Sequence, residues 1–202
     1  MADSNLDTYT FFMAHIALNN ENLPGIVGLL DYSPTTAAPL LNLANTLLVT
    51  ESTLTRTERE IIAASVSWWN GCHFCHTSHA AAAVANAGAD ISLIDEIKAG
   101  LPKTEVSDKL RALLNIAHHV QQGGKHVTTG DIEAARKEGA TDKEIHDTVL
   151  IAAAFCMYNR YVDGLGTWAP EKNEDYMEMG RSIAEKGYGV STRRTTENTV
   201  PV

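Results

Sequence analysis

The chain has 202 residues, a usual length for one domain and enough to bury a sizeable apolar core without disulfide bonds. Its hydrophobic fraction is 44% but only 6% of its residues are aromatic, so small and aliphatic side chains must supply most of the core, as in closely packed helices. The formal net charge of −9 argues against nucleic acid or an anionic membrane surface as a partner, because no basic stripe is available to neutralise phosphates.

No stretch of the sequence predicts membrane insertion or export. The longest apolar run, around residues 149–157, is far shorter than the about 20 residues that a membrane span needs. The first residues, MADSNLDTYT, lack the basic start and apolar run of a signal peptide. We therefore expect a soluble, cytoplasmic protein. Three cysteines, two of them in one C-x-x-C motif, indicate redox or metal chemistry in a reducing compartment.

Apolar residues at helical spacing predict an all-α fold, since no stretch alternates with period two over a useful length. In chain order the predicted helices span about residues 6–19, 24–30, 34–49, 55–69, 72–87, 90–98, 104–122, 131–138, 141–164 and 170–187. We expect a compact multi-helix bundle, with one domain over residues 1–187 and a C-terminal arm or disordered tail over residues 188–202.

Local capping signals predict where several of these helices begin and end. Thr55-x-x-Glu58 is a capping box, in which the hydroxyl and the carboxylate satisfy each other's free backbone N–H groups. Asn70-Gly71 supplies the residues that end the helix. A C-x-x-C motif follows at once and opens the next helix. Thr141-x-x-Glu144 is a second capping box, which begins a long apolar helix.

The C-x-x-C motif brings two thiols and an imidazole onto one helix face. Cys72 and Cys75 are three residues apart, and His79 follows Cys75 after four. A thiol reacts as thiolate, and a helix N-terminus lowers a cysteine pKa from about 8.5 toward 7 or below. His79 is spaced to reach Cys75 as general base or imidazolium partner, and Cys72 to close a disulfide with Cys75. The motif therefore predicts a redox dithiol site.

Glu60 is a further candidate, on the preceding helix. It shares a helix side with the small residues Ala63, Ala64 and Ser67, which would let a second helix approach closely. A carboxylate held there would orient His79 or receive its proton, as the third member of a nucleophile, base and orienter set. The alternative is an exposed first-turn glutamate that only favours the helix dipole, and spacing alone leaves both interpretations open.

A structural zinc site uses the same C-x-x-C spacing, so a metal-binding interpretation also stays open at this point. Cys72, Cys75 and His79 give three ligands, His76 is a geometrically poor fourth, and no second C-x-x-C follows. His73 and His76 are otherwise expected to be solvated or satisfied surface histidines. The third cysteine, at position 156, is expected to be an inert core thiol.

The spacing of these residues resembles a known active-site signature. Glu60, followed twelve positions later by Cys72-x-x-Cys75-x-x-x-His79 within LTRTEREIIAASVSWWNGCHFCHTSHA, is similar to the signature of the alkylhydroperoxidase D-like, carboxymuconolactone decarboxylase superfamily. The segment NRYVDGLGT, residues 159–167, resembles the peroxidase-related branch. The resemblance covers most of residues 20–170.

The resemblance implies a thiol-dependent peroxidase that reduces alkyl hydroperoxides or hydrogen peroxide. It implies that Cys75 attacks the peroxide and that Cys72 is the proton donor and resolving thiol. His79 and Glu60 would deprotonate Cys75 through water. It further implies an all-helical fold, trimers or hexamers, no metal or organic cofactor, and an external thiol reductant that the sequence does not identify. The apolar first helices and the C-terminal arm also favour a homo-oligomer.

One residue departs from the family pattern. Family hydroperoxidases carry His directly before the second cysteine, whereas this chain has Phe74 there and histidines at 73 and 76. This departure bears on the peroxidase rate, while the dithiol chemistry does not depend on it. Two alternatives to the peroxidase remain at this point: a cofactor-free decarboxylase of carboxymuconolactone type, and a non-catalytic, zinc-binding oligomer.

Overall fold

The computed structural model describes residues 14–100 and 106–189. These residues contain helices and no strands, so the predicted all-α fold is confirmed. Nine α-helices occur in the described ranges: α1 (Gly25–Tyr32), α2 (Pro34–Leu48), α3 (Arg56–Trp69), α4 (His73–Ala87), α5 (Leu93–Lys98), α6 (Asp108–Gln122), α7 (Thr129–Lys137), α8 (Asp142–Gly164) and α9 (Met177–Lys186). Short 3-10 helices span Gly124–His126 and Asn173–Tyr176.

Helices α3 and α4 form the centre of the bundle. Every residue of α3 from Arg59 to Ser67 is buried, and α4 buries Phe74 to Ser78 and Ala80 to Val84. Helix α4 contacts α9 along one side, and α3 contacts α6 and α8. Helices α1 and α2 complete the core near the start of α4. Since Cys72 directly precedes α4 and Cys75 and His79 lie on it, the fold holds the motif at one of its two central helices.

The two predicted capping boxes at the starts of α3 and α8 are confirmed. Thr55 Oγ1 accepts the Glu58 N–H at 3.1 Å, and a Glu58 carboxylate oxygen accepts the Thr55 N–H at 2.8 Å. Thr141 and Glu144 make the same pair of bonds at the start of α8. Helix α3 contacts both α4 and α8, so these capped helices pack directly around the start of the C-x-x-C helix.

Several predicted boundaries are wrong. Residues 14–24 form no helix, because backbone groups here bond to another loop: the His15 N–H donates to the Leu165 carbonyl at 2.8 Å. The rest of that predicted helix lies outside the described residues. Helix α6 begins after a Ser107 cap, and the predicted start at Thr104 lies outside the described residues. Helix α7 begins at Thr129 rather than at the predicted residue 131, since Thr128 forms the capping box with Asp131.

The end of the chain also differs in detail from the sequence expectation. The segment predicted as a helix over 170–187 is a 3-10 turn followed by α9. Tyr188 and Gly189, which open the expected arm, pack against the bundle, and the remainder of the arm lies outside the described residues. No helix within residues 14–100 or 106–189 combines the length and the apolar character that crossing a membrane would require.

Candidate active site

The local sequence explains how the dithiol is positioned. Asn70 and Gly71 end α3, and Gly71 takes a φ of 78° that a residue with a side chain rarely adopts. Cys72 is the N-cap of α4, and its N–H donates back to the Ser67 carbonyl at 3.0 Å. Cys75 lies in the first turn of α4, and both thiols are buried. The tight α3–α4 connection thus sets the two cysteines where the two central helices meet.

Glu60 and His79 meet across the α3–α4 interface. Glu60 Oε2 and His79 Nδ1 are 2.8 Å apart, and Glu60 is only 1% exposed. The alternative of an exposed first-turn glutamate is therefore wrong. An ionised carboxylate can only accept hydrogen bonds, so the proton of this bond belongs to Nδ1 and the neutral ring keeps Nε2 free to accept a proton. His79 also packs edge-to-face on Phe155, with ring centroids 4.5 Å apart.

A tyrosine from beyond α9 completes this group. The Tyr188 hydroxyl donates to Glu60 Oε1 at 2.7 Å and lies 2.9 Å from His79 Nδ1. Burial, and then the charge of Glu60, raise the pKa of Tyr188 well above its ordinary value, so the phenol keeps its proton. Glu60 thus receives one hydrogen-bond donor on each carboxylate oxygen.

The two cysteines differ in their surroundings. The Cys72 thiol hydrogen-bonds with the Cys75 sulfur and, more weakly, with the Asp163 carboxylate. The bond with Cys75, reinforced by burial, raises the pKa of Cys72 well above its ordinary value, so the expected lowering at a helix start does not hold for this thiol. Cys72 therefore retains its proton beside the Cys75 sulfur. All cysteines in the described residues are free thiols.

An apolar cavity of about 190 Å³ opens onto one of the two thiols. Cys75 and His79 line it, and Cys72 does not. The wall consists mainly of aliphatic and aromatic side chains from α1, α2, α8 and α9: Ile26, Val27, Leu30, Leu40, Leu41, Phe155, Met179 and Ile183. Among the described residues, no Lys or Arg side chain lines it. A small molecule in this cavity would meet the Cys75 sulfur and the His79 ring together.

Phe74 and His76 flank Cys75 in the sequence, and both are buried. Phe74 lines the cavity and packs on Tyr176, with ring centroids 5.8 Å apart. The expectation of a surface position for His76 is wrong, since it is 0% exposed and its Nδ1 lies 3.0 Å from the Ala64 carbonyl oxygen. Burial lowers the pKa of His76 to about 4. His73 is exposed, as expected, and its Nε2 lies 3.0 Å from the Pro170 carbonyl oxygen.

The segment that resembles the peroxidase-related branch supports the α3–α4 turn from behind. Asn159 is fully buried, and its Nδ2 donates to Ser67 Oγ at 3.0 Å. Its Oδ1 accepts from Asn70 Nδ2 at 2.7 Å, and Asn70 Oδ1 in turn accepts from Gln121 at 3.0 Å. This chain of amides ties α8 and α6 to the residues that set the position of Cys72.

Sequence reasoning missed Tyr188 and Asp163. Tyr188 lies far along the chain from Glu60, in the segment that the sequence predicts to be a C-terminal arm. The sequence feature that could have identified it is its position between Gly187 and Gly189, directly after a helix. Asp163 is part of the recognised NRYVDGLGT segment, although its approach to the Cys72 thiol has no local signature. Among residues 14–100 and 106–189, no three His, Cys, Asp or Glu side chains are grouped so that they could hold a metal ion.

Comparisons with known proteins agree with the resemblance. Residues 34–101 match the model of the carboxymuconolactone decarboxylase family. No curated protein matches the chain. The fold is similar to that of an uncharacterized peroxidase-related protein with an alkylhydroperoxidase AhpD core from Ralstonia eutropha JMP134, at a TM-score of 0.72 and 22% identity, over 84% of this chain and 97% of that one.

Two further solved structures share the fold. One is an uncharacterized peroxidase-related protein from Silicibacter sp. TM1040, with a TM-score of 0.66 and 24% identity over 78% of this chain and 81% of that one. The other is a putative antioxidant defence protein AhpD of unknown function from Agrobacterium tumefaciens, with a TM-score of 0.62 and 21% identity over 73% of this chain and 99% of that one. The family-model match over residues 34–101 and the shared fold confirm the resemblance to the alkylhydroperoxidase D-like, carboxymuconolactone decarboxylase superfamily.

Proposed function

We propose that this protein is a thiol-dependent peroxidase that reduces hydroperoxides with the Cys72 and Cys75 thiols. The observation that supports the proposal best is that the two sulfurs lie in different surroundings. Cys75 and His79 line the cavity, whereas Cys72 does not line it and retains its proton. A peroxidase of this kind needs one nucleophilic sulfur in contact with the substrate cavity and one protonated partner thiol, which matches this difference.

In the first step, His79 takes the proton of the Cys75 thiol through Nε2, while Glu60 stabilises the resulting imidazolium through Nδ1. The Cys75 thiolate attacks the terminal peroxide oxygen, the O–O bond breaks, and Cys75 becomes a sulfenic acid. The departing alkoxide takes the proton of Cys72 and leaves as an alcohol. One peroxide is thereby reduced by two electrons and one sulfur is oxidised by two.

In the second step, the Cys72 thiolate attacks the Cys75 sulfur and forms the disulfide. The displaced hydroxide takes the proton held by His79 and leaves as water. The two steps together convert two thiols and one hydroperoxide into a disulfide, an alcohol and water. An external thiol or dithiol must then reduce the disulfide by exchange before the next turnover.

The cavity favours hydroperoxides that carry an apolar group. Its volume of about 190 Å³ exceeds that of an engineered apolar cavity that accommodates benzene, at about 150 Å³. Each buried methylene contributes about 0.8 kcal/mol of transfer free energy, whereas hydrogen peroxide has no apolar surface to bury. We expect cumene or tert-butyl hydroperoxide to be reduced with at least about tenfold higher kcat/KM than hydrogen peroxide.

Peroxide consumption by cysteine variants tests the proposal, with dithiothreitol as the reductant. Cys75→Ser should abolish consumption, because the attacking sulfur is lost. In the absence of dithiothreitol, Cys72→Ser should stop after one oxidation and leave a sulfenic acid on Cys75, detectable with dimedone by mass spectrometry. Cys156→Ser is the matched control and should keep full turnover. Undiminished turnover by the Cys75 variant would refute the proposal.

A second candidate is a cofactor-free decarboxylase, which the family-model match over residues 34–101 favours. A substrate of that type carries carboxylates, and the described lining of the cavity offers no Lys or Arg to receive them. The double variant Cys72→Ala, Cys75→Ala separates the candidates. Release of CO₂ from γ-lactone acids that persists in this variant would favour decarboxylation over thiol chemistry.

A homo-oligomer, trimer or hexamer, remains a prediction for this chain. Tyr32, Trp68, Leu150 and Met157 are each more than 40% exposed, which supplies apolar surface for subunit contacts. Light scattering of the purified protein tests the prediction, and a clean monomer would contradict it.

A further inference from the structure

We infer that Tyr188 is a positioning residue of the proton relay, which binds both Glu60 and His79 and sets the pH at which Cys75 becomes reactive. This inference deepens the proposed function, because it concerns the relay that the peroxidase would use. Tyr188 lies well beyond the residues that match the family model, so the match does not assign it.

The geometry gives the hydroxyl of Tyr188 a defined partner on each side. Its oxygen lies 2.7 Å from Glu60 Oε1 and 2.9 Å from His79 Nδ1. Glu60 Oε2 already accepts from Nδ1 at 2.8 Å, so the three groups form a closed triangle. The phenol donates its proton to Oε1, because the carboxylate has none to give. Its ring also stacks on the imidazole of His79, with centroids 5.5 Å apart and planes 25° apart.

The backbone around Tyr188 is built to deliver this side chain. Gly187 and Gly189 have φ values of 75° and 79°, which turn the chain sharply on both sides of the tyrosine. The Tyr188 N–H donates to Asn45 Oδ1 at 3.1 Å, and a Cβ on Gly187 would come within 2.5 Å of that same oxygen. The segment is therefore anchored on α2 and holds the ring over the relay.

The hydroxyl changes the electrostatics of the relay in a predictable direction. Its O–H dipole presents a positive end to Glu60, and removing it makes the local potential more negative. Every neighbouring group then holds its proton more tightly, Cys75 included. Among the described residues, Arg59 on α3 lies near Glu60, and His76 on α4 lies near both His79 and His73. Cys72, the N-cap of α4, adjoins Cys75 and has Asp163 of α8 and Tyr176 nearby. Tyr158 of α8 lines the same cavity as His79. The cavity walls from α1, α2 and α9 add apolar side chains.

Alkylation of Cys75 by iodoacetamide tests the inference without any peroxide. The rate is measured from pH 5 to 10 on the full chain, and mass spectrometry of the Cys75 peptide separates it from other thiols. Tyr188→Phe keeps the ring and removes the hydroxyl. We expect its pH midpoint to rise by about one unit, which makes alkylation about tenfold slower at pH values below the midpoint.

Tyr176→Phe is the matched control, because Tyr176 is a buried tyrosine beside the same turn whose hydroxyl donates to the Pro170 carbonyl. Its midpoint should equal that of the wild type. As a second test that needs no variant, incorporation of 3-fluorotyrosine makes the phenol a stronger donor and should lower the wild-type midpoint. An unchanged midpoint in Tyr188→Phe or with fluorotyrosine, or an equal rise in Tyr176→Phe, would overturn the inference.

The outcome is independent of the proposed function. A shifted midpoint in a protein that consumes no peroxide would support the role of Tyr188 and refute the peroxidase. Peroxide turnover in the wild type, together with an unshifted midpoint in Tyr188→Phe, would support the peroxidase and refute the role of Tyr188.

Discussion

Replacing Glu60 by Gln tests the relay at its most buried member. The side chain is 1% exposed and accepts one hydrogen bond on each carboxylate oxygen, from His79 Nδ1 at 2.8 Å and from Tyr188 at 2.7 Å. Glutamine has nearly the same shape but carries no charge and has only one acceptor oxygen. Its amide must therefore turn an N–H toward either Tyr188 or His79.

Both orientations impair the transfer of the Cys75 proton. If the amide N–H faces His79, Nδ1 must become the acceptor, the ring proton moves to Nε2, and that nitrogen can no longer take a proton. If the amide oxygen faces His79, the imidazolium loses the carboxylate that stabilises it. A hydrogen bond to a charged group contributes about 1.5–3 kcal/mol. We therefore expect Glu60→Gln to lower kcat/KM for an organic hydroperoxide by about 10- to 100-fold.

Stopped-flow measurement of peroxide loss, with dithiothreitol in excess, gives this ratio. Glu58→Gln is the matched control on the same helix, because a glutamine at this position preserves the capping box with Thr55. The control should keep wild-type kcat/KM. A Glu60→Gln enzyme within twofold of wild type across pH 6 to 9 would refute the relay, since a buried carboxylate without influence on turnover has only a structural part.

Two further predictions concern stability. Burial lowers the pKa of His76 from 6.5 to about 4. The contribution of the neutral ring to the free energy of unfolding is therefore fully present above about pH 6.5 and is lost as the pH falls toward 4. The free energy of unfolding in urea should drop by about 2 kcal/mol more between pH 7 and 5 than it does in His76→Gln. Gly25 has a φ of 52°, and an added Cβ would lie 2.2 Å from the Phe74 ring. Gly25→Ala should therefore lower the free energy of unfolding by about 2–4 kcal/mol.

Each stability prediction has its own check. For His76, equal pH slopes in the two proteins would show that the buried ring does not resist protonation. For Gly25, the matched control is Gly71→Ala, where φ is 78° but nothing lies within 4 Å of an added Cβ. In that variant the free energy of unfolding should fall by only about 1 kcal/mol, the cost of holding alanine in a left-handed backbone conformation. Equal losses in the two variants would mean that the contact with Phe74 adds nothing.

The sequence predicts well those features that depend on neighbouring residues. The capping boxes at Thr55 and Thr141 locate the starts of α3 and α8 because a cap involves only residues three apart. Where adjacent residues compete, the local signal fails: Thr128 and Thr129 both suit a cap, and the bond to Asp131 decides in favour of Thr128. The helix predicted at the start of the chain is absent from residue 14 onward because its backbone bonds to a distant loop.

In the candidate site, too, the sequence predicts what depends on neighbouring residues and fails where distant segments meet. Cys72, Cys75 and His79 lie on one helix, so their proximity follows from helical spacing. The approach of Glu60 rests on the packing of α3 against α4, and spacing alone left it undecided between a buried and an exposed position. Tyr188 comes from a segment with no periodic pattern, so no local rule would place its hydroxyl against Glu60. His76 is an example of the opposite error. Its polar side chain predicts an exposed position, whereas the packing of α4 buries it.

The reacting groups and the cavity wall belong to different parts of the chain. Cys75 and His79 sit on α4 and Glu60 on α3, whereas much of the wall around them comes from α1, α2 and α9. Substitutions at wall positions such as Ile26, Leu41 or Ile183 would change the shape of the cavity without replacing the thiols. Under the proposed function, substitutions in the wall would therefore alter the size of hydroperoxide that fits, while the proposed reacting groups stay the same.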